Sequence, residues 1–171
     1  RFMASYMIGE NISAKASYAT MTQYIHLLSN TGASFPTDLW VPSTPDVKPQ
    51  KSNQVAAGFA KDFVKQNFSI SLEGYYKKSK NVLGYKEGES FMIIEEPQSS
   101  EQFQWSERVL QGQAWSYGAE LLVQRKYGQL TGWVGYTLSW TYLQFDEQNQ
   151  GEKFPAKYDR RHDVSVVAIY K

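Results

Sequence analysis

Histidine is the first residue type to inspect for chemistry, and the chain has two, His26 and His162, far apart in sequence. His162 stands in the run Asp159-Arg160-Arg161-His162-Asp163. Asp159, His162 and Asp163 could bind a metal ion or exchange a proton as an acid–base pair. A metal centre needs three or four converging ligands, and isolated carboxylates beside one imidazole fall short. A charged loop-to-strand junction, held by Asp–Arg and Asp–His contacts, explains the same residues better. Glu73 and Glu120 form a second possible acid–base pair. Groups of this kind also line any polar strand face that meets water, and that reading suits their surroundings. The sequence contains no cysteine, which excludes thiolate metal sites, disulfides and a cysteine nucleophile. It has no Gly-x-Ser-x-Gly elbow and no phosphate-cradling glycine loop. Gly84, Gly88 and Gly112 read as isolated turn or loop glycines. No enzyme signature is present.

The elements that hold these residues follow from composition and periodicity. Aromatics make up 15% of the 171 residues, as 12 Tyr, 9 Phe and 5 Trp. Mean hydropathy is nevertheless −0.52. A chain both aromatic-rich and hydrophilic is what strands produce when apolar residues face lipid and polar ones face a lumen. Net charge is +1, with no basic stripe to neutralise phosphates, so no nucleic-acid partner is expected. No stretch approaches the ~20 apolar residues of a membrane-crossing helix.

The dominant period is two. Over 129–142, Leu130, Gly132, Val134, Tyr136, Leu138, Trp140 and Tyr142 fall on one face. Thr131, Trp133, Gly135, Thr137, Ser139 and Thr141 fall on the other. The same alternation runs through 1–8, 11–21, 54–63, 68–78 and 112–125. Residues 162–171 are apolar on both faces, so their facing stays open. This predicts about seven strands, most near the ~9–11 residues that cross a bilayer at a tilt. Helical spacing occurs only around Gln23–Leu28.

Connections sort by length. Gly9–Asn11, Val64–Asn67 and Lys126–Gln129 are short, whereas 22–53, 79–111 and 143–161 are long. Short and long alternate strictly, as in an antiparallel transmembrane β-barrel with tight periplasmic turns and extended external loops. Tyr18, Tyr75, Tyr76, Trp115, Tyr117, Trp140 and Tyr142 cluster toward the long-loop ends. Phe63, Phe68 and Tyr127 lie near the short turns. Two such bands predict aromatic girdles at the two membrane interfaces. The Pro-rich segment 36–49 suits a rigid surface loop. In the long loops, Trp40, Phe91, Phe103 and Trp105 are candidate ligand contacts, with loop packing as the equal alternative. Glu73 and Glu120 are candidate lumen-lining residues.

Several motifs resemble the barrel of TonB-dependent receptors of the Bacteroidetes type. They are Tyr24-Ile25-His26-Leu27-Leu28, Pro36-Thr37-Asp38-Leu39-Trp40-Val41-Pro42, Lys48-Pro49-Gln50 with Gln54, and Glu73-Gly74-Tyr75-Tyr76-Lys77. Ser116-Tyr117-Gly118-Ala119-Glu120, the run from Gly132 to Ser139, and Phe154-Pro155-Ala156-Lys157-Tyr158-Asp159-Arg160-Arg161-His162-Asp163 continue the series. The resemblance covers nearly the whole chain. It implies a barrel of about 22 strands closed by a plug. It also implies energised uptake of a scarce ligand (siderophore, glycan, peptide or similar) across the bacterial outer membrane.

On that reading, 1–171 is a partial outer-membrane β-barrel domain, all-β and without a cofactor. The plug and the TonB box lie outside it. Implied partners are the TonB complex acting through the plug, membrane lipids, the imported ligand and a surface lipoprotein lid. Two rivals stand beside it: another outer-membrane barrel (a porin or a barrel enzyme), and a soluble β-sandwich that binds carbohydrate. A two-layer core enclosing the apolar faces would favour the sandwich.

Overall fold

The structure, a computed structural model, describes residues 1–28, 39–86 and 105–171, with Leu39 and Trp105 described by their backbone alone. Seven long strands form one antiparallel meander. They are β1 (Phe2–Gly9), β2 (Ile12–Gln23), β5 (Gln50–Phe63), β6 (Phe68–Tyr85), β7 (Val109–Arg125), β8 (Leu130–Gln144) and β10 (His162–Tyr170). Spatial order follows chain order. Two short strands, β3 (Ile25–Leu28) and β4 (Leu39–Pro42), pair as a separate hairpin, and β9 (Phe154–Pro155) adds to β8. The sheet is not closed, because β1 and β10 each have one unpaired edge among the described residues.

Register shows why the alternation matters. Tyr18 pairs Val55, Val55 pairs Tyr76, Tyr76 pairs Tyr117, and Tyr117 pairs Trp140. The apolar sets of six strands therefore fall on one side of the sheet. Pairing of Val164 with Tyr136 and of Val166 with Val134 decides the open facing of β10. Val164, Val166, Ala168 and Tyr170 join the apolar face, while Asp163, Ser165, Val167 and Ile169 take the other. No second layer covers the apolar face among the described residues, and Phe59 and Val166 are 60% and 63% exposed. The described residues therefore do not form a β-sandwich, whose two inner faces are buried against each other.

The short connections all lie at one end. Asn67 takes the left-handed conformation (φ 58°) after the turn Val64–Gln66, and Gly128 does so (φ 116°) in the turn after β7. Asn and Gly are the residues that tolerate this conformation. Backbone bonds from Lys126 N to Asn67 O and from Asp62 N to Asn11 O tie these turns to their neighbours.

The opposite end departs from the sequence expectation in three ways. First, β6 has 18 residues and β7 has 17, well beyond the ~9–11 needed to cross a bilayer. The ribbon is therefore longer than a bilayer crossing requires. β7 starts before the expected 112 because Val109 and Leu110 are both buried and break the alternation, and the expected end of β6 at 78 fell short because of a bulge. Lys80 pairs Gln113 and Val82 pairs Gly112, leaving Asn81 (φ 58°) as the extra residue. One extra residue reverses the side-chain facing, so the period of two breaks. Second, the helical spacing around Gln23–Leu28 forms strand β3. Third, Gly84 and Gly112 are strand residues rather than turn or loop glycines. Both lie beneath the Phe145 ring, and a Cβ on Gly84 would come within 2.8 Å of it. Gly88 lies outside the described residues.

The small dry core sits at this end. Leu28, Val41, Val47 and Val109 are buried together, with Leu83 and Tyr85 packed against them. Side-chain amides fasten the Pro-rich segment to the ribbon. Lys48 N donates to Gln111 Oε1 (3.1 Å), Gln111 Nε2 to Asp46 O (2.7 Å), and Asn81 Nδ2 to Pro49 O (2.9 Å).

Candidate functional site

The polar face carries a row of aligned side chains. Lys15 pairs Gly58, Gly58 pairs Glu73, Glu73 pairs Glu120, Glu120 pairs Thr137, and Thr137 pairs Asp163. The two predicted carboxylates are thus brought directly opposite each other on adjacent strands, and both are exposed. Directly opposed Cβ atoms lie ~4.5–5.5 Å apart, close enough for like charges to repel. Gly58 makes room beside them, since a Cβ there would meet Leu72 O at 2.7 Å and the Glu73 Cβ at 3.1 Å. The row is a water-facing surface with carboxylates toward one end and Lys15 at the other. Sequence reasoning placed Glu73 and Glu120 on this face. It missed Asp163, because the facing of the last strand was open until its register was known.

The Asp159–His162–Asp163 cluster does not assemble. Asp159 accepts from Thr141 N (2.7 Å) and pairs with Arg161 Nη2 (3.3 Å). The His162 ring bonds Tyr136 OH through Nδ1 (2.8 Å) and stacks on that ring, on the apolar side. Asp163 points the other way. The Asp–Arg contact of the charged junction is present, and tyrosine replaces the expected Asp–His contact. Among the described residues, no three His, Asp or Glu side chains converge as a metal site.

At the loop end, β3 pairs β4 with Leu27 opposite Trp40 and His26 opposite Val41. His26 and Val41 face the dry core, so Trp40 turns outward and is 62% exposed. The His26 ring bonds Ser43 Oγ through Nε2 (3.0 Å), and burial lowers its pKa below the ordinary histidine value. Trp105 opens a short 3-10 turn leading into β7. Phe91 and Phe103 lie outside the described residues. Of the four candidate loop aromatics, only the Trp40 side chain is therefore placed, and it stands free of the loop core.

Most of the aromatics expected in the two bands share the apolar face. Tyr117 stacks on Trp140 (5.4 Å), Tyr142 (6.4 Å) and Tyr76 (6.5 Å) on the apolar face. Phe63 stacks on Phe68 (4.4 Å) beside a short turn. Tyr75 leaves the band, because its register partner Gly118 is on the polar face.

A single antiparallel sheet with an uncovered apolar face, a polar face opposite and tight turns at one end defines a wall segment of a transmembrane β-barrel. No described helix is long and apolar enough to cross a membrane. The family comparison specifies the class further, since the TonB dependent receptor-like β-barrel model matches residues 1–166. The chain belongs to that family, one of outer-membrane receptors and transporters rather than enzymes. No curated protein and no solved structure matches the chain significantly.

Proposed function

We propose that residues 1–171 form part of the wall of a TonB-dependent importer in the outer membrane of a Gram-negative bacterium, of the Bacteroidetes type. The carrying observation is the bare apolar face, whose residues come into line across all seven long strands. In hydrocarbon this face needs no protein cover, while every backbone amide must pair with another strand. Further strands therefore complete the barrel, and a plug carrying the TonB box gates it. The polar row through Glu73 and Glu120 faces the lumen. The projecting β6–β7 ribbon and the β3–β4 hairpin form part of the external mouth, where Trp40, Phe91, Phe103 and Trp105 are ligand-contacting candidates. The imported ligand is a siderophore, glycan, peptide or molecule of similar size, and a surface lipoprotein closes over the mouth.

Uptake in cells carrying the whole receptor tests this. An uncoupler that collapses the proton gradient should stop import and leave surface binding intact. A flux that continues without energy would assign the chain to a passive porin instead.

A further inference from the structure

The rim of the apolar face bears cations where a hydrocarbon-facing surface would bear none. Lys51 and Lys80 stand opposite each other on β5 and β6, a placement in which like charges repel. Lys78 lies two residues along on the same face, 5.4 Å from the ring centroid of Trp115, and Lys153 comes to 3.9 Å of that ring. The Arg161 guanidinium lies over Trp140 (5.6 Å) and Tyr142 (5.4 Å). Among the described residues none of the four lysines has an ion-pair partner. Arg161 reaches Asp159 and Tyr142 through Nη2, while its Nη1 is buried without a hydrogen-bond partner among them. Among the described residues, the one ion pair made by these five cations is that of Arg161 with Asp159.

Below this rim the sheet surface is hollow. Ala16, Ala57, Gly74 and Ala119 are aligned across four strands. Under the Tyr76, Tyr117 and Trp140 rings they floor an open, almost wholly apolar trough of about 640 Å³. Lys78 is four residues along β6 from Gly74, about 13 Å of strand, or roughly 10 Å of depth at a tilt of ~40°. The interfacial layer of one leaflet is about 5–8 Å thick. With the cations at the phosphate level, the trough lies inside hydrocarbon.

We propose that this rim and trough bind a phosphate-bearing lipid of the outer leaflet. Lys78, Lys153 and Arg161 hold the phosphate, and an acyl chain lies along the small-residue trough. The inference rests on the membrane reading above. A soluble anion has no use for the trough, and a neutral lipid has none for the cations. Arg and Lys so placed bind phosphate through charge-assisted hydrogen bonds.

The test uses the whole receptor in detergent, with monophosphoryl lipid A and the same lipid stripped of its phosphate as probes, read by native mass spectrometry. The phosphorylated lipid should bind at least about tenfold tighter, the worth of one charge-assisted hydrogen bond. The double variant Lys78→Gln/Lys153→Gln should abolish that preference. Ala57→Leu, which fills the trough, should weaken both lipids and keep the preference. Inorganic phosphate at millimolar concentration should fail to displace the lipid. Equal binding of the two probes, an unchanged preference in the double variant, or displacement by phosphate alone would each overturn the proposal. Insertion of the receptor into vesicles is scored in parallel. A receptor that does not insert defeats the membrane reading itself; one that inserts and shows no preference defeats only this inference.

Discussion

The middle of the sheet and its long-loop end solve the same problem in opposite ways. At the loop end, Leu28, Val41, Val47 and Val109 leave water by packing on one another, as in any soluble domain. In the middle, Phe59, Leu72, Leu121 and Val166 touch only their neighbours within the sheet, with no second layer over them among the described residues, and stay exposed. Both regions are apolar and both are built from strands. The difference lies in what they meet: protein in the first and, on the proposed membrane placement, lipid in the second. Burial in a protein interior is therefore a poor guide to which half of this molecule is structurally essential. The better guide is whether backbone amides are paired, and in the band they are.

The contrast can be broken from either side. The largest effect is expected from Leu28→Ala, which opens a cavity in the small loop-end core and should cost about 2–5 kcal/mol locally. Hydrogen exchange should accelerate over residues 24–28 and 41–47 and stay unchanged over 68–78. Exchange that rises throughout would mean the two regions fold as one unit. Leu121→Arg attacks the band, where an arginine near the bilayer midplane costs ~2–4 kcal/mol. Denaturant titration of the whole receptor in vesicles should show that loss. A negligible change, normal for an exposed site in water, would refute lipid contact.

Glu73→Gln sharpens the polar side. Relief of the repulsion with Glu120 should stabilise the receptor by roughly 0.2–1 kcal/mol. The gain should shrink when salt is raised, and a loss of stability would mean that Glu73 is held by a favourable partner. The smallest signal belongs to His26, whose pKa is lowered in the folded hairpin. The unfolded hairpin then binds the proton more tightly, so stability is unaffected well above the ordinary histidine pKa of about 6.5 and falls as pH drops below it. Amide exchange in 25–28 should quicken on acidification, and His26→Gln should remove that dependence.

How much of this could be read from the residues depended on where alternation survives. Between Phe68 and Lys78 each apolar side chain has a polar neighbour, and the face of every residue follows from counting by two. The same counting put Lys61 on the apolar face, and its register with Ile70 agrees. Residues 50–53 (Gln, Lys, Ser, Asn) are polar on both faces, so the true start of β5 carries no periodic signal. In β10 both faces are apolar, and only the pairing of Val164 with Tyr136 assigns them. The polar-face carboxylates were readable because they alternate with apolar residues; their direct opposition required register. The cationic rim was hidden for another reason, since Lys78, Lys153 and Arg161 come from three segments that only the fold brings together.

The bulge at Asn81 has a consequence for the loop end as a whole. Beyond it, Leu83 and Tyr85 face the side on which the β3–β4 hairpin docks, while Gly84 faces Phe145. Deleting that one residue would exchange the sides of everything from Val82 to Tyr85. The hairpin would then settle on a glycine, and the Phe145 ring would collide with a leucine and a tyrosine. A single left-handed asparagine thus acts as a half-turn screw in an otherwise continuous strand. It allows one ribbon to present a bare apolar face below and carry a packed headpiece above.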